Sequence, residues 1–211
     1  MACILNAAGQ LLPSSDNRLR AETFRLGFIL LFCCGLRRNE LLRLTLAHID
    51  LDQSLIQVEN TKFHKSRLVP LAPTVANEVA RYLRQRHQMK ICTAPQAFLL
   101  ASGIHSDKAY ADHTLMAVWH QLCLSTHLLD GHGRPPRLHD LRHSFAVNTL
   151  QRWYAEGTNV QAKLPHLATY LGHVSAVSTH YYLKLTPELR QAASQRFHQR
   201  FGSMFALGGV A

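Results

Sequence analysis

Acidic residues are scarce in this chain of 211 residues: 13 Asp and Glu stand against 23 Lys and Arg, a formal net charge of +10. A field of that sign draws polyanions and makes their binding salt-dependent, with nucleic acid the natural partner and an acidic membrane surface or acidic protein the other classes. Cysteine is sparse and badly placed for pairing. Cys3, Cys33, Cys34, Cys92 and Cys123 are odd in number, two of them adjacent in an apolar run, and none forms a C-x-x-C pair. A disulfide framework and a finger-type zinc site are thereby excluded, and the reading is a reducing, cytoplasmic compartment. Long apolar runs are missing too. The longest, residues 26–36, falls short of the roughly 20 needed to span a bilayer and has Arg25 and Arg37 at its ends, so it reads as a core helix and no membrane association is expected. The start of the chain lacks the basic, apolar and small-residue succession of a secretory leader. Internal repeats and low-complexity tracts are absent.

What is present is the pattern of a mainly helical α+β domain. A chain of this length buries one good core. Gly9, Pro13 and the Ser14-Ser15 cluster make residues 1–17 a linker or disordered arm. Helical spacing of Phe24, Phe28, Leu31 and Phe32 predicts a helix from about residue 18 that Gly35 stops, followed by a short helix over 39–46. Alternation over 49–58 around a turn at Asp52-Gln53, and a second extended run over 67–71, predict a small antiparallel sheet of two or three strands. Pro73 opens a helix to about residue 90. Asp112 is the expected N-cap of another, running to about residue 127. Further helices are expected over 139–154, 163–171, 176–182 and 187–201.

Several polar groups invite a chemical reading beside a plain one. Arg37, with Glu40 three residues on, is either a solvated surface cation or a phosphate clamp at a helix start whose orientation Glu40 sets. Lys62 belongs to a solvated basic turn, or else projects from a hairpin tip to protonate a departing alkoxide. His139, Arg142 and His143 fall at i, i+3 and i+4, one face of a helix and a poor candidate for core. Two histidines four apart also suggest the zinc hydrolase motif. That motif needs Glu after the first histidine, and Asp140 stands there with a carboxylate one carbon too short. His173, after Leu171-Gly172, is a helix-capping side chain or a phosphate ligand, and Tyr182 a packed aromatic or a nucleophile.

Taken in order, Gly35-Leu36-Arg37-x-x-Glu40, Lys62 ahead of Lys65-x-Arg67-Leu68-Val69-Pro70-Leu71, His139-x-x-Arg142-His143, Leu171-Gly172-His173 and Tyr182 nine residues further on resemble the catalytic domain of a tyrosine recombinase, the phage-integrase family. The resemblance implies that Arg37 and Arg142 bind the non-bridging oxygens of a scissile DNA phosphate and that His139 and His173 complete the pocket. It implies Lys62 as general acid for the leaving 5′ oxygen and Tyr182 as the nucleophile that forms a 3′-phosphotyrosine. Double-stranded DNA is then the partner, a homo-oligomer on DNA such as a tetrameric synapse the working form, and no metal or cofactor is required, since the arginines supply positive charge. A phenol of reference pKa about 10 needs such cationic surroundings to attack at neutral pH.

The chain departs from the family in what precedes its first helix. Members carry a helical core-binding domain there, so the expected division is 1–17 as arm and 18–211 as catalytic domain, with the core-binding domain absent. Tyr181 adjoins the expected nucleophile, and Thr186-Pro187-Glu188-Leu189 resembles integrases of transposable elements. The competing classes are a DNA-binding accessory or inactive truncated remnant, and a type IB topoisomerase with the same chemistry. Covalent capture of nicked DNA separates the remnant from the enzyme.

Overall fold

Helix α2 (Arg20–Cys33) buries Phe24, Leu26, Phe28, Ile29, Leu30 and Leu31, residues that cover every side of it. A helix apolar all round has to lie inside a domain. In the computed structural model, which describes residues 1–15, 17–59, 66–101 and 108–172, α1 (Ala2–Ala8), α3 (Arg38–Arg43) and α4 (Pro73–Gln88) all pack on it. The chain divides into two compact units, Met1–Arg142 and His143–Ala211. In the first, aromatic rings join elements distant in sequence: Phe28 meets Trp119 of α5 (Asp112–Ser125) at 5.3 Å, and Phe24 meets Tyr110 at 4.8 Å. The buried rings among them, Phe24, Phe28 and Trp119, each contribute about 1.5–3 kcal/mol by leaving water.

The first residues are not a simple arm. Ile4 and Ala8, one helical turn apart, are buried, and α1 packs on both α2 and α5. The sequence signal is short, seven residues ahead of Gly9 of which Ile4 and Ala8 are buried, and burial against α2 is what stabilises so brief a helix. Asn17, at the end of the expected arm, is also buried. Its amide donates to Thr23 Oγ1, to the Ala101 carbonyl and to Tyr110 Oη, while its Oδ1 accepts from the Leu19 amide at 2.7 Å. That last bond serves the start of α2, which begins at Arg20.

The sheet has three antiparallel strands in sequence order, β1 (Ile49–Asp50), β2 (Leu55–Val58) and β3 (Arg67–Pro70). Ile56 pairs with both Ile49 and Val69, so one buried residue centres the ladder, and Val58 pairs with Arg67 at its far end. The turn falls at residues 51–54, where Ser54 takes the left-handed conformation. Helix α4 starts on Pro73 as expected and ends with an unexpected feature. Arg86 is fully buried, its Nε donating to the Cys92 carbonyl at 2.8 Å and its Nη1 to those of Phe98 and Leu99. The guanidinium thus supplies donors to a turn of largely buried polar backbone, where the Leu99 carbonyl also accepts from Tyr82 Oη.

Three helices, α3, α5 and the later α7 (Val160–Leu171), differ from expectation at one end. Asp112 is the first helical residue of α5 and not its cap, because its carboxylate is drawn to Arg38 Nε at 2.6 Å. The short helix α3 ends at Arg43, and residues Leu46–His48 form a separate 3-10 turn in which the Thr45 amide donates to His48 Nδ1. In the second unit, Ala146 and Leu150 of α6 (Asp140–Ala155) pack with Val160, Leu164, Leu167 and Leu171 of α7 (Val160–Leu171). Helix α7 starts earlier than expected because Asn159 caps it, accepting from the Ala162 amide, and Gly172 closes it at φ +64°. The helices expected over 176–182 and 187–201 lie outside the described residues. Among the described residues no helix is long and apolar enough to cross a membrane.

Candidate functional site

The site is built at the turn that leaves α2. Gly35 has φ +59°, a conformation that costs other residues a Cβ clash, and it sends the chain directly into α3. Its carbonyl accepts from Arg142 Nη1 at 2.5 Å. Two residues on, Arg37 occupies the N-cap of α3 with extended backbone, and its amide donates to Glu40 Oε2 at 2.8 Å. The side chain folds the same way: Arg37 Nη1 donates to Glu40 Oε1 at 2.7 Å. Glu40 also receives the whole fork of Arg67 from β3, Nη1 on Oε1 at 2.9 Å and Nη2 on Oε2 at 2.8 Å. Burial alone would raise the Glu40 carboxyl. The Arg67 hydrogen bonds and charge, joined by Arg37, outweigh it and hold the group down at about 2.

Arg37 opens into a cavity of about 460 Å³ lined also by Arg38, Asn39, Met116, Arg137, Leu138 and His139. Three guanidiniums and an imidazole therefore surround one space, and among the described residues that line it none carries a carboxylate. The acids of this region stand beside the cations and orient them: Glu40 on Arg37, Asp112 on Arg38, and Asp140 on Arg137, whose amide donates to Asp140 Oδ2 at 2.8 Å. The loop carrying Arg137 and His139 is held by Trp119, whose Nε1 donates to the Pro136 carbonyl at 2.7 Å. Such a cavity suits an oxyanion with several oxygens, because planar guanidiniums donate in pairs.

Of the residues expected from sequence, Arg37 and His139 line this cavity together. Arg142 is not at its surface. It is 2% exposed, where an outward helix face was expected, and burial is tolerable because the Gly35 carbonyl takes its Nη1. His139 precedes the first residue of α6 and is exposed, though the Arg142 amide still donates to its carbonyl, preserving the offset of three. His143 is half-buried and belongs to the second unit. Lys62, His173 and Tyr182 lie outside the described residues. Arg38, Arg137 and the fork of Arg67 carried no sign of these positions beyond being basic neighbours of the matched boxes, and Asp140, read as a failed metal-site base, instead orients Arg137. Among the described residues no group of three or more His, Cys, Asp or Glu is arranged to hold a metal ion.

The profile of the phage integrase family matches residues 6–188. Among curated proteins, one of Sinorhizobium fredii named integrase/recombinase y4rB is 39% identical over 186 residues, covering 87% of this chain and 58% of its own length. The tyrosine recombinase XerA of Thermococcus kodakarensis is 31% identical over 176 residues, 82% of this chain and 54% of that protein. The chain thus spans a little over half the length of these relatives. Among solved structures, that of XerA recombinase superposes with a TM-score of 0.68 at 22% identity, over 94% of this chain and 62% of the other. XerH bound to its palindromic difH substrate after cleavage gives 0.67 at 20% identity, over 92% of this chain and 50% of the other. The structural likenesses show the shared fold.

Proposed function

The chain belongs to the phage integrase family, and on that premise we propose that it carries the catalytic centre of a site-specific recombinase that cuts and rejoins DNA through a covalent 3′-phosphotyrosine. The observation that carries this reading is the Arg37 guanidinium, braced by Glu40 and facing the same cavity as His139. The scissile phosphate of a duplex sits there, its non-bridging oxygens taken by Arg37 and, after local adjustment of the Gly35 turn, by Arg142. His139 and His173 donate hydrogen bonds to the same oxygens and handle protons.

In the forward step the Tyr182 oxygen attacks phosphorus and the bond from phosphorus to the 5′ oxygen breaks. The phenolic proton passes to a neighbouring base, and Lys62 delivers a proton to the leaving 5′ oxygen. The tyrosyl ester retains the free energy of the broken diester, so a 5′ hydroxyl from a second strand displaces Tyr182 and restores a phosphodiester without ATP. As charge grows on the pentavalent phosphorus, the Arg37 guanidinium, already oriented by Glu40, stabilises it with little reorganisation. Exchange between two duplexes calls for several copies on DNA, a homo-oligomer of tetrameric form, acting in the cytoplasm where the DNA lies.

The experiment is covalent capture. Incubated with a pool of nicked duplexes of randomised core sequence, the wild-type protein is expected to yield a DNA adduct that survives denaturation. Tyr182→Phe removes it and Tyr181→Phe keeps it. An adduct lost only in Tyr181→Phe overturns the nucleophile, and a pool from which wild type captures nothing overturns the activity.

A further inference from the structure

One carboxylate serves two guanidiniums in this site, and the second of them, Arg67, has no part in the chemistry just described. Each Glu40 oxygen accepts one bond from Arg37 and one from Arg67. The Glu40 side chain is buried at 6% exposed and that of Arg67 nearly so at 10%, whereas Arg37 is 31% exposed and turned to the cavity. Arg67 commits its whole fork to Glu40, and its Nε is buried with no hydrogen bond among the described residues. A charge count shows what the arrangement does. Glu40 and Arg37 alone would sum to zero; with Arg67 these three side chains sum to +1.

Arg67 also occupies a particular place in the sheet. It pairs with Val58, the last rung of the β2–β3 ladder before the connection in which the sequence carries Lys62. Resting on the strand-exchange reading, we infer that Arg67 is a positioning residue for strand cleavage: by gripping both Glu40 oxygens it keeps the Arg37 guanidinium aimed into the cavity and adds a second positive charge behind it, and it ties the last rung of the β2–β3 ladder to that guanidinium. It touches no reacting atom. Its influence reaches the phosphate through Glu40 and Arg37 alone.

A role through charge at the phosphate makes a demand that a merely structural role does not. On a nicked duplex that wild type captures, Arg67→Gln slows single-turnover adduct formation by about 10- to 100-fold, the range of one lost charge-assisted contact, with DNA affinity changed by less than about threefold. On the same duplex with a neutral methylphosphonate at the scissile position, the slowing shrinks to less than about threefold, because an uncharged group gains little from a cationic pocket. Arg67→Lys, which restores the charge without the fork, recovers a large part of the rate and serves as the test if Arg67→Gln does not fold. Equal slowing on both substrates, or no slowing on the phosphate, overturns the inference while leaving the reaction itself established. Orthovanadate, a phosphate mimic, gives a reading that needs no DNA cleavage. Titrated calorimetrically, it is expected to bind Arg67→Gln about tenfold more weakly than wild type, and equal binding overturns the inference even if no duplex reacts.

Discussion

Replacing Glu40 by Gln tests the centre of the site through stability alone. The wild-type carboxylate has an ordinary value of 4.5 and is held at about 2 in the fold. At about 1.4 kcal/mol for each tenfold in proton affinity, that difference is worth about 3 kcal/mol. The sign follows from the depressed value: the contribution is fully present above 4.5 and is lost as pH falls toward 2. An independent route gives the same size, since removing one partner of a buried ion pair costs about 3–5 kcal/mol by leaving charge uncompensated. Glu40→Gln keeps the shape and one acceptor oxygen, so packing is preserved and the charge is what changes. Urea unfolding followed by far-UV circular dichroism is expected to show a deficit of about 3 kcal/mol at pH 7, shrinking to about 1 kcal/mol at pH 3, where the wild-type carboxylate has given up most of its advantage. A deficit that stays constant between the two pH values would mean that packing and not ionisation holds the cluster together. One below about 0.5 kcal/mol at pH 7 would mean that the two guanidiniums do not depend on Glu40 for their place.

Three further outcomes are expected. Gly35→Ala places a Cβ at φ +59° and disturbs the carbonyl that holds Arg142; it is expected to cost about 1–2 kcal/mol in urea unfolding and to slow adduct formation as well, and full retention of both properties would show that the turn relaxes freely. Arg86→Met takes a donor from the Cys92, Phe98 and Leu99 carbonyls, of which Leu99 keeps Tyr82 Oη, with an expected loss of about 2–4 kcal/mol in thermal or urea unfolding; since Arg86 lines no part of the cavity, the adduct rate per folded molecule should hold. Arg137→Ala removes an exposed cation from the cavity wall; fluorescence anisotropy over a salt series is expected to give a log Kd against log salt slope smaller by about 0.9, and an unchanged slope would place Arg137 away from the DNA backbone.

How far the sequence carried these conclusions varies from one residue to another. Arg37 and Glu40 were legible as a pair because they are three residues apart on one helical turn, and the structure confirms the contact. Helix α4 was legible from Pro73 and its apolar spacing, and the turn before β2 from its polar residues. Asp112 was misread as a cap, since nothing local reveals that Arg38, 74 positions earlier in the numbering, competes for its carboxylate. The packed α1 was missed because a helix of seven residues takes its stability from a tertiary surface and leaves only two buried positions in the sequence.

By itself, then, the order of side chains determined the helices and strands whose periodicities of 3.6 and 2 are local, and the succession of boxes from Gly35 to Tyr182 that places the chain in its family. Tertiary structure decided which charges meet. Arg67 reaches Glu40 across 27 residues and Arg142 reaches Gly35 across 107, distances over which no repeat in the chain carries information. Whether a guanidinium is buried, cancelled or left facing a cavity depends on which carboxylates and carbonyls the packed backbone brings within 3 Å, and only the fold supplies those neighbours.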